Sequence, residues 1–140
     1  MKAVVSVFLL LPSLFVSLFG DSGLEDKIRI QNMKVVEAAA GELGKDLPKR
    51  VDPFTKLVAV EAEGEKLVYV FEIDAGGKSD ESIVKEGRER MKRNVTAGIC
   101  STSQRFLKSG IVISYRYVSA ATGKSLFEFS VDKKECDTLR

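Results

Sequence analysis

Residues 56–74 read KLVAVEAEGEKLVYVFEID, and their alternation decides the fold class. Leu67, Tyr69, Phe71 and Ile73 fall on one side of an extended chain, opposite Val68, Val70 and Glu72. A period of two is the mark of a strand, because successive side chains point to opposite faces. In the same way Val58 and Val60 oppose Leu57, Ala59 and Glu61. Between the two runs, Gly64-Glu65 suits a two-residue hairpin turn whose first position needs positive φ. A second hairpin is expected from IVISYRYV (111–118) and SLFEFSVD (125–132), joined by AATGK with Gly123 in the turn.

Helical periodicity flanks both hairpins. Over 23–45, Leu24, Ile28, Val35, Val36, Ala39, Ala40 and Leu43 share one arc at about 100° per residue. Pro48 forbids continuation, and Pro48 and Pro53 make 46–55 an extended connector. After the loop AGGKS (75–79), a helix capped by Ser79 or Asp80 is expected over 82–94. Ile83, Val84, Met91 and Val95 cluster on its apolar arc, with Gly87 inside it. Gly98 is expected to break the helix before a second segment at 99–109. The predicted architecture is a single α+β domain: helix, two strands, one or two helices, two strands. It predicts an antiparallel four-stranded sheet packed with helices.

The N-terminus sets the compartment. MKAVVSVFLLLPSLFVSLFG has a short positive start and an apolar run from Val4 to Phe19, the layout of a secretory signal peptide. Residues 1–20 are therefore expected to be a leader and 21–140 a periplasmic or secreted domain. Leu18 fits a cut after Gly20 poorly, so an uncleaved N-terminal anchor is the competing reading. In an oxidising compartment the even pair Cys100 and Cys136 reads as a disulfide. Free buried thiols are the alternative.

Composition argues against several activities. The chain has no His, which removes Ser-His-Asp and Cys-His catalysis and HExxH metal sites. Two Cys without His are a poor zinc set. The 22 Lys and Arg are nearly balanced by 20 Asp and Glu, so there is no basic field for nucleic acid. No cofactor, metal or catalytic residue is expected. Lys85, Arg88 and Lys92 form a basic stripe interleaved with Glu86 and Glu89, which reads as a solvated helix face. Tyr115, Arg116 and Tyr117 are a candidate protein-binding surface, set against a plainer reading of the tyrosines as half-buried strand residues. Glu61 and Glu72 are a candidate carboxylate pair for a small extracytoplasmic hydrolase, although no Trp offers a sugar platform. Asn94-Val95-Thr96 matches a glycosylation sequon, relevant only in a eukaryotic secretory pathway.

One resemblance runs through most of the chain. LPKRVDPFTKLVAVEAEGEKLVYVFEI (47–73), a helix ending at Cys100, RFLKSGIVISYRY (105–117), FEFSV (127–131) and Cys136 together resemble the small exported proteobacterial proteins labelled quorum-sensing-regulated virulence factors. That resemblance implies a signal peptide and an α+β domain but no catalytic residue. A second likeness is to the disulfide-containing pilot proteins of type II secretion, which bind and help localise secretin subunits. This chain lacks the lipobox Cys that many pilot proteins use. Both imply an exported, non-enzymatic interaction protein whose partner is another protein. The carboxylate-dependent hydrolase is the alternative.

Overall fold

A computed structural model describes residues 21–139. The expected leader 1–20 lies outside the described residues. Within them the order is α1 (Asp21–Leu43), β1 (Lys49–Asp52), β2 (Thr55–Glu63), β3 (Lys66–Ile73), α2 (Asp80–Thr102), α3 (Gln104–Lys108), β4 (Val112–Ser119), β5 (Ser125–Val131) and α4 (Lys133–Asp137).

The sheet corrects the sequence expectation in two ways. It has five strands in the order β1-β2-β3-β4-β5, and β3 pairs with β4 in parallel. The extra strand comes from the connector. Asp52 accepts the Phe54 N–H at 2.8 Å, and Arg50 donates to the Pro53 carbonyl at 3.0 Å. These bonds close a turn that folds 49–52 back on β2. The parallel pair follows from the connection. A 23-residue helix spans about 35 Å at 1.5 Å per residue, enough to return the chain to the start of β3 before β4 begins.

Local chemistry fixes the remaining joints. Gly64 takes φ +61° in the β2–β3 turn, a conformation open to Gly at little cost. Ser79 caps α2 by accepting the Ser82 N–H at 3.2 Å. The helix then runs through Gly98 and ends at Thr102, with the break at Ser103. Gly98 does not interrupt it, contrary to the break its propensity predicts, because Ile99 directly after it is fully buried and tertiary burial outweighs the propensity cost of one Gly. A bulge at Val58 corrects the faces of β2: it turns Leu57 to the side of Val60, opposite Phe71. The tail forms α4, capped by Asp132 on the Glu135 N–H at 2.9 Å.

All the core-forming helices pack on one face of the sheet. α1 lies over β2 and β3, while α2 lies over β5 and β4. Between helices and sheet sit Val36, Leu67, Ile99, Leu107, Ile111, Ile113 and Val131. They continue into Phe71, Ile73, Tyr117, Phe127 and Phe129. The buried Asn32 of α1 donates to Glu65 Oε2 and to the Ser109 carbonyl, both at 2.8 Å, tying the helix to two turns. Only part of the expected α1 arc is covered: Leu24, Ile28, Val35 and Leu43 stay exposed. Cys100 of α2 and Cys136 of α4 form a disulfide with a Cα–Cα distance of 5.5 Å.

Candidate functional site

The two ends of the helix layer are closed differently. At one end α3, α4 and the disulfide cap the core. At the other, the N-terminal half of α2 stands apart from the β1–β2 turn, leaving an open cleft of about 560 Å³. That is within the usual range for a binding cleft. Ile73 lies in it, Ile83 and Met91 line the helix wall, and Phe54 forms the opposite wall. Gly87 sits between Ile83 and Met91 on the α2 arc and adds no side chain to fill the space.

Phe54 is 64% exposed. A large aromatic at the tip of a Pro-containing turn is not needed to make the turn, since the Asp52 and Arg50 bonds do that. Its carbonyl accepts the Asp74 N–H at 2.8 Å, which anchors the turn to the end of β3. The rim is charged: Asp52 on the turn side, Lys78, Glu86 and Arg90 on the other. Asn94 of the sequon also lies at the cleft, exposed on α2.

The candidate surface Tyr115–Arg116–Tyr117 is divided by the pleat. Tyr115 and Tyr117 lie on the helix-covered face, in a run of ring contacts through Phe71, Phe127 and Phe129 at 4.8–6.1 Å. Burial pushes the hydroxyls of Tyr69, Tyr115 and Tyr117 above the ordinary tyrosine range. For Tyr117, the nearby Tyr115 and the Asp52 carboxylate add to that effect. Arg116 points to the opposite face, which the helices leave open. There it reaches Glu128 and Glu63 at 2.9 Å and Glu61 at 3.3 Å. Those hydrogen bonds, to Glu128 first and then Glu63, hold the guanidinium firmly protonated. For Glu128, burial favours the neutral acid, but the Ser114 hydroxyl and Arg116 together outweigh it and keep the carboxyl below its usual value.

The carboxylate pair proposed for hydrolysis does not come together. Glu61 sits opposite Val68 in the ladder, and Glu72 is four residues further along β3. At about 3.3 Å per residue that is about 13 Å, beyond the separation two glycosidase carboxylates use. Glu61 is also occupied by Arg116. Lys85, Arg88 and Lys92 are all exposed on α2. Among the described residues no group of three or more Asp, Glu, Cys or His is placed to hold a metal.

The cleft residues Phe54, Ile83, Gly87, Arg90 and Met91 were not grouped by sequence reasoning. The available signal was the glycine within the apolar arc of α2. What the sequence did not show was the β1–β2 turn that faces it.

No family model matches this chain, and no curated protein matches it either. Its fold is shared with solved structures. A presumed secreted protein from Pseudomonas aeruginosa superposes with a TM-score of 0.70 at 16% identity, covering 78% of this chain and 96% of its own. The type II secretion pilotin EpsS of Vibrio vulnificus gives 0.67 at 15% identity, covering 79% and 96%. The type II secretion pilotin AspS of Vibrio cholerae gives 0.59 at 15% identity, covering 81% and 100%. At these identities the likeness establishes a common α+β fold with a five-stranded mixed sheet.

Proposed function

We propose that residues 1–20 direct export and that the domain 21–140 is a periplasmic or secreted, non-enzymatic interaction protein associated with secretion. It would hold an apolar segment of a partner protein in the cleft between α2 and the β1–β2 turn. The observation that carries this reading is the cleft itself: about 560 Å³, open to solvent and walled by Phe54, Ile83 and Met91. Phe54 is exposed beside an unfilled apolar wall, and a contiguous apolar patch rimmed by charged residues is the usual mark of an interaction site. The fold shared with two type II secretion pilotins favours a secretion-associated partner. If the leader is not removed, the same domain would act tethered to the membrane by its N-terminus.

Site-specific photocrosslinking in expressing cells tests the proposal. A photoreactive phenylalanine analogue at Phe54 should yield one dominant protein adduct. The same analogue at Glu61, on the opposite face of the sheet, should not. Equal adducts from both positions, or none from Phe54, would remove the cleft as the docking site.

A further inference from the structure

The charges on the rim of the cleft are distributed unevenly. On the α2 side, Lys78 Nζ and Glu86 Oε2 neutralise each other at 2.6 Å. Arg90 lines the same wall, exposed beside Met91, and has no carboxylate partner among the described residues. On the facing wall Asp52 accepts the Phe54 N–H through Oδ1. That bond orders the turn but leaves the negative charge without a cation among the described residues. Elsewhere the charged side chains with defined partners are numerous, Arg116 with its three glutamates above all. The cleft thus presents one uncompensated cation on its helix wall and one uncompensated anion on its turn wall, across an apolar floor that includes Ile73.

Resting on the interaction reading above, we infer that the cleft takes an amphipathic polypeptide segment whose apolar side chains are flanked by a carboxylate on the α2 side and a basic side chain on the β1–β2 side. Apolar contact with Phe54, Ile83 and Met91 supplies the affinity. The rim supplies direction. A segment entering the reverse way round sets its carboxylate against Asp52 and its cation against Arg90, and like charges in register are disfavoured. Arg90 and Asp52 are therefore specificity-determining residues for the orientation of the bound segment.

The probe is a displayed library of random 12-residue peptides selected on the purified protein and on three variants: Arg90→Glu, Asp52→Asn and Met91→Glu. Asparagine keeps a side-chain oxygen to accept the Phe54 N–H, so it removes the charge and not the turn. Circular dichroism and urea unfolding check that each variant is folded. The expected result is enrichment, on the parent, of peptides with two or more apolar residues and at least one Asp or Glu. Arg90→Glu should shift the enriched set toward Lys and Arg at the acidic position. It should also weaken a parent-selected peptide by about tenfold near 0.15 M salt. Asp52→Asn should relax the preference for a basic residue at the other flank. Met91→Glu should abolish capture of the parent set. If Arg90→Glu selects the same acidic peptides as the parent, the charge inference fails while the cleft reading stands. If the selected peptides bind Met91→Glu as well as the parent, or if no apolar peptide is enriched, the cleft reading fails and this inference with it.

Discussion

Strand β4 faces two different environments, and the contrast shows how this sheet is kept buried on both sides. Toward the helices it presents Ile113, Tyr115 and Tyr117, which pack against rings and aliphatic chains. Toward solvent it presents Ser114 and Arg116. Among the described residues no helix covers that side, yet Val68 and Ser114 have no exposed surface there and Val70 is almost as protected. Their cover is made of side chains: Arg116 and Lys66 bridging Glu61, Glu63 and Glu128, with Ser114 donating to Glu128 at 2.6 Å. One face relies on non-directional apolar burial, and the other on a directional network over a thin apolar strip. The first tolerates an imperfect edge, and the open cleft lies on that side. The second depends on directional partners, so losing one charge leaves the others in the network without a counterion.

Substitutions separate the two modes. The largest loss is expected on the helix face: Phe71→Ala removes a ring stacked on Tyr117 and tilted against Tyr115 and should cost about 4 kcal/mol in urea unfolding. A loss below about 1 kcal/mol would mean that the aromatic run is not a packed core. Removing the disulfide by changing Cys100 and Cys136 together to Ala should cost about 3 kcal/mol. The bridge spans 36 residues and constrains the unfolded chain. An unchanged urea midpoint would show that α4 contributes no cross-link to this face.

On the open face, Arg116→Ala should cost about 1–2 kcal/mol. Partly exposed ion pairs are individually weak, but this change leaves three carboxylates without their common cation. If it costs as much as Phe71→Ala, the two faces do not differ in kind.

The smallest effects are in the pH dependence, and there the faces should fail at opposite ends of the scale. The folded-state pKa of Glu128 is lowered, so the unfolded chain binds more protons and stability rises with pH. This contribution is complete above the ordinary glutamate range and is lost as pH falls below about 4.5. The tyrosines are raised above their ordinary value. They therefore favour the folded state fully below about pH 10, and that advantage disappears as pH climbs beyond it. Unfolding curves from pH 3 to 11 should show both limbs. Glu128→Gln should flatten only the acidic one, and Tyr69→Phe with Tyr115→Phe and Tyr117→Phe only the alkaline one. A single substitution that flattened both limbs would mean the faces are electrostatically coupled.

Much of this was legible along the chain. The alternation of 56–74 marks both strands of the first hairpin, Gly64 marks their turn, and Ser79-Asp80 marks the start of α2, with the structure choosing Ser79 as the cap. Each of these depends on neighbours within a few residues. Alternation alone puts Leu57 on the wrong side, because a bulge changes the count by one without altering composition. The separation of Arg116 from Tyr115 and Tyr117 follows from the pleat, but its three glutamate partners come from two other strands and from positions up to 55 residues away.

The sequence by itself determined the period of β3, β4 and β5, the apolar arc of α2, the even cysteine pair and the absence of histidine chemistry. All of these are set by local sterics or by composition. Only the tertiary structure decided that β3 lies parallel to β4, that 49–52 joins the sheet, that Glu61 serves Arg116 and not Glu72, and that α2 leaves a cleft against Phe54. The reason is physical. Side-chain alternation says which way a strand faces, whereas strand order depends on where a long crossover returns the chain. That return is governed by the summed burial of residues far apart in sequence, which no short window contains.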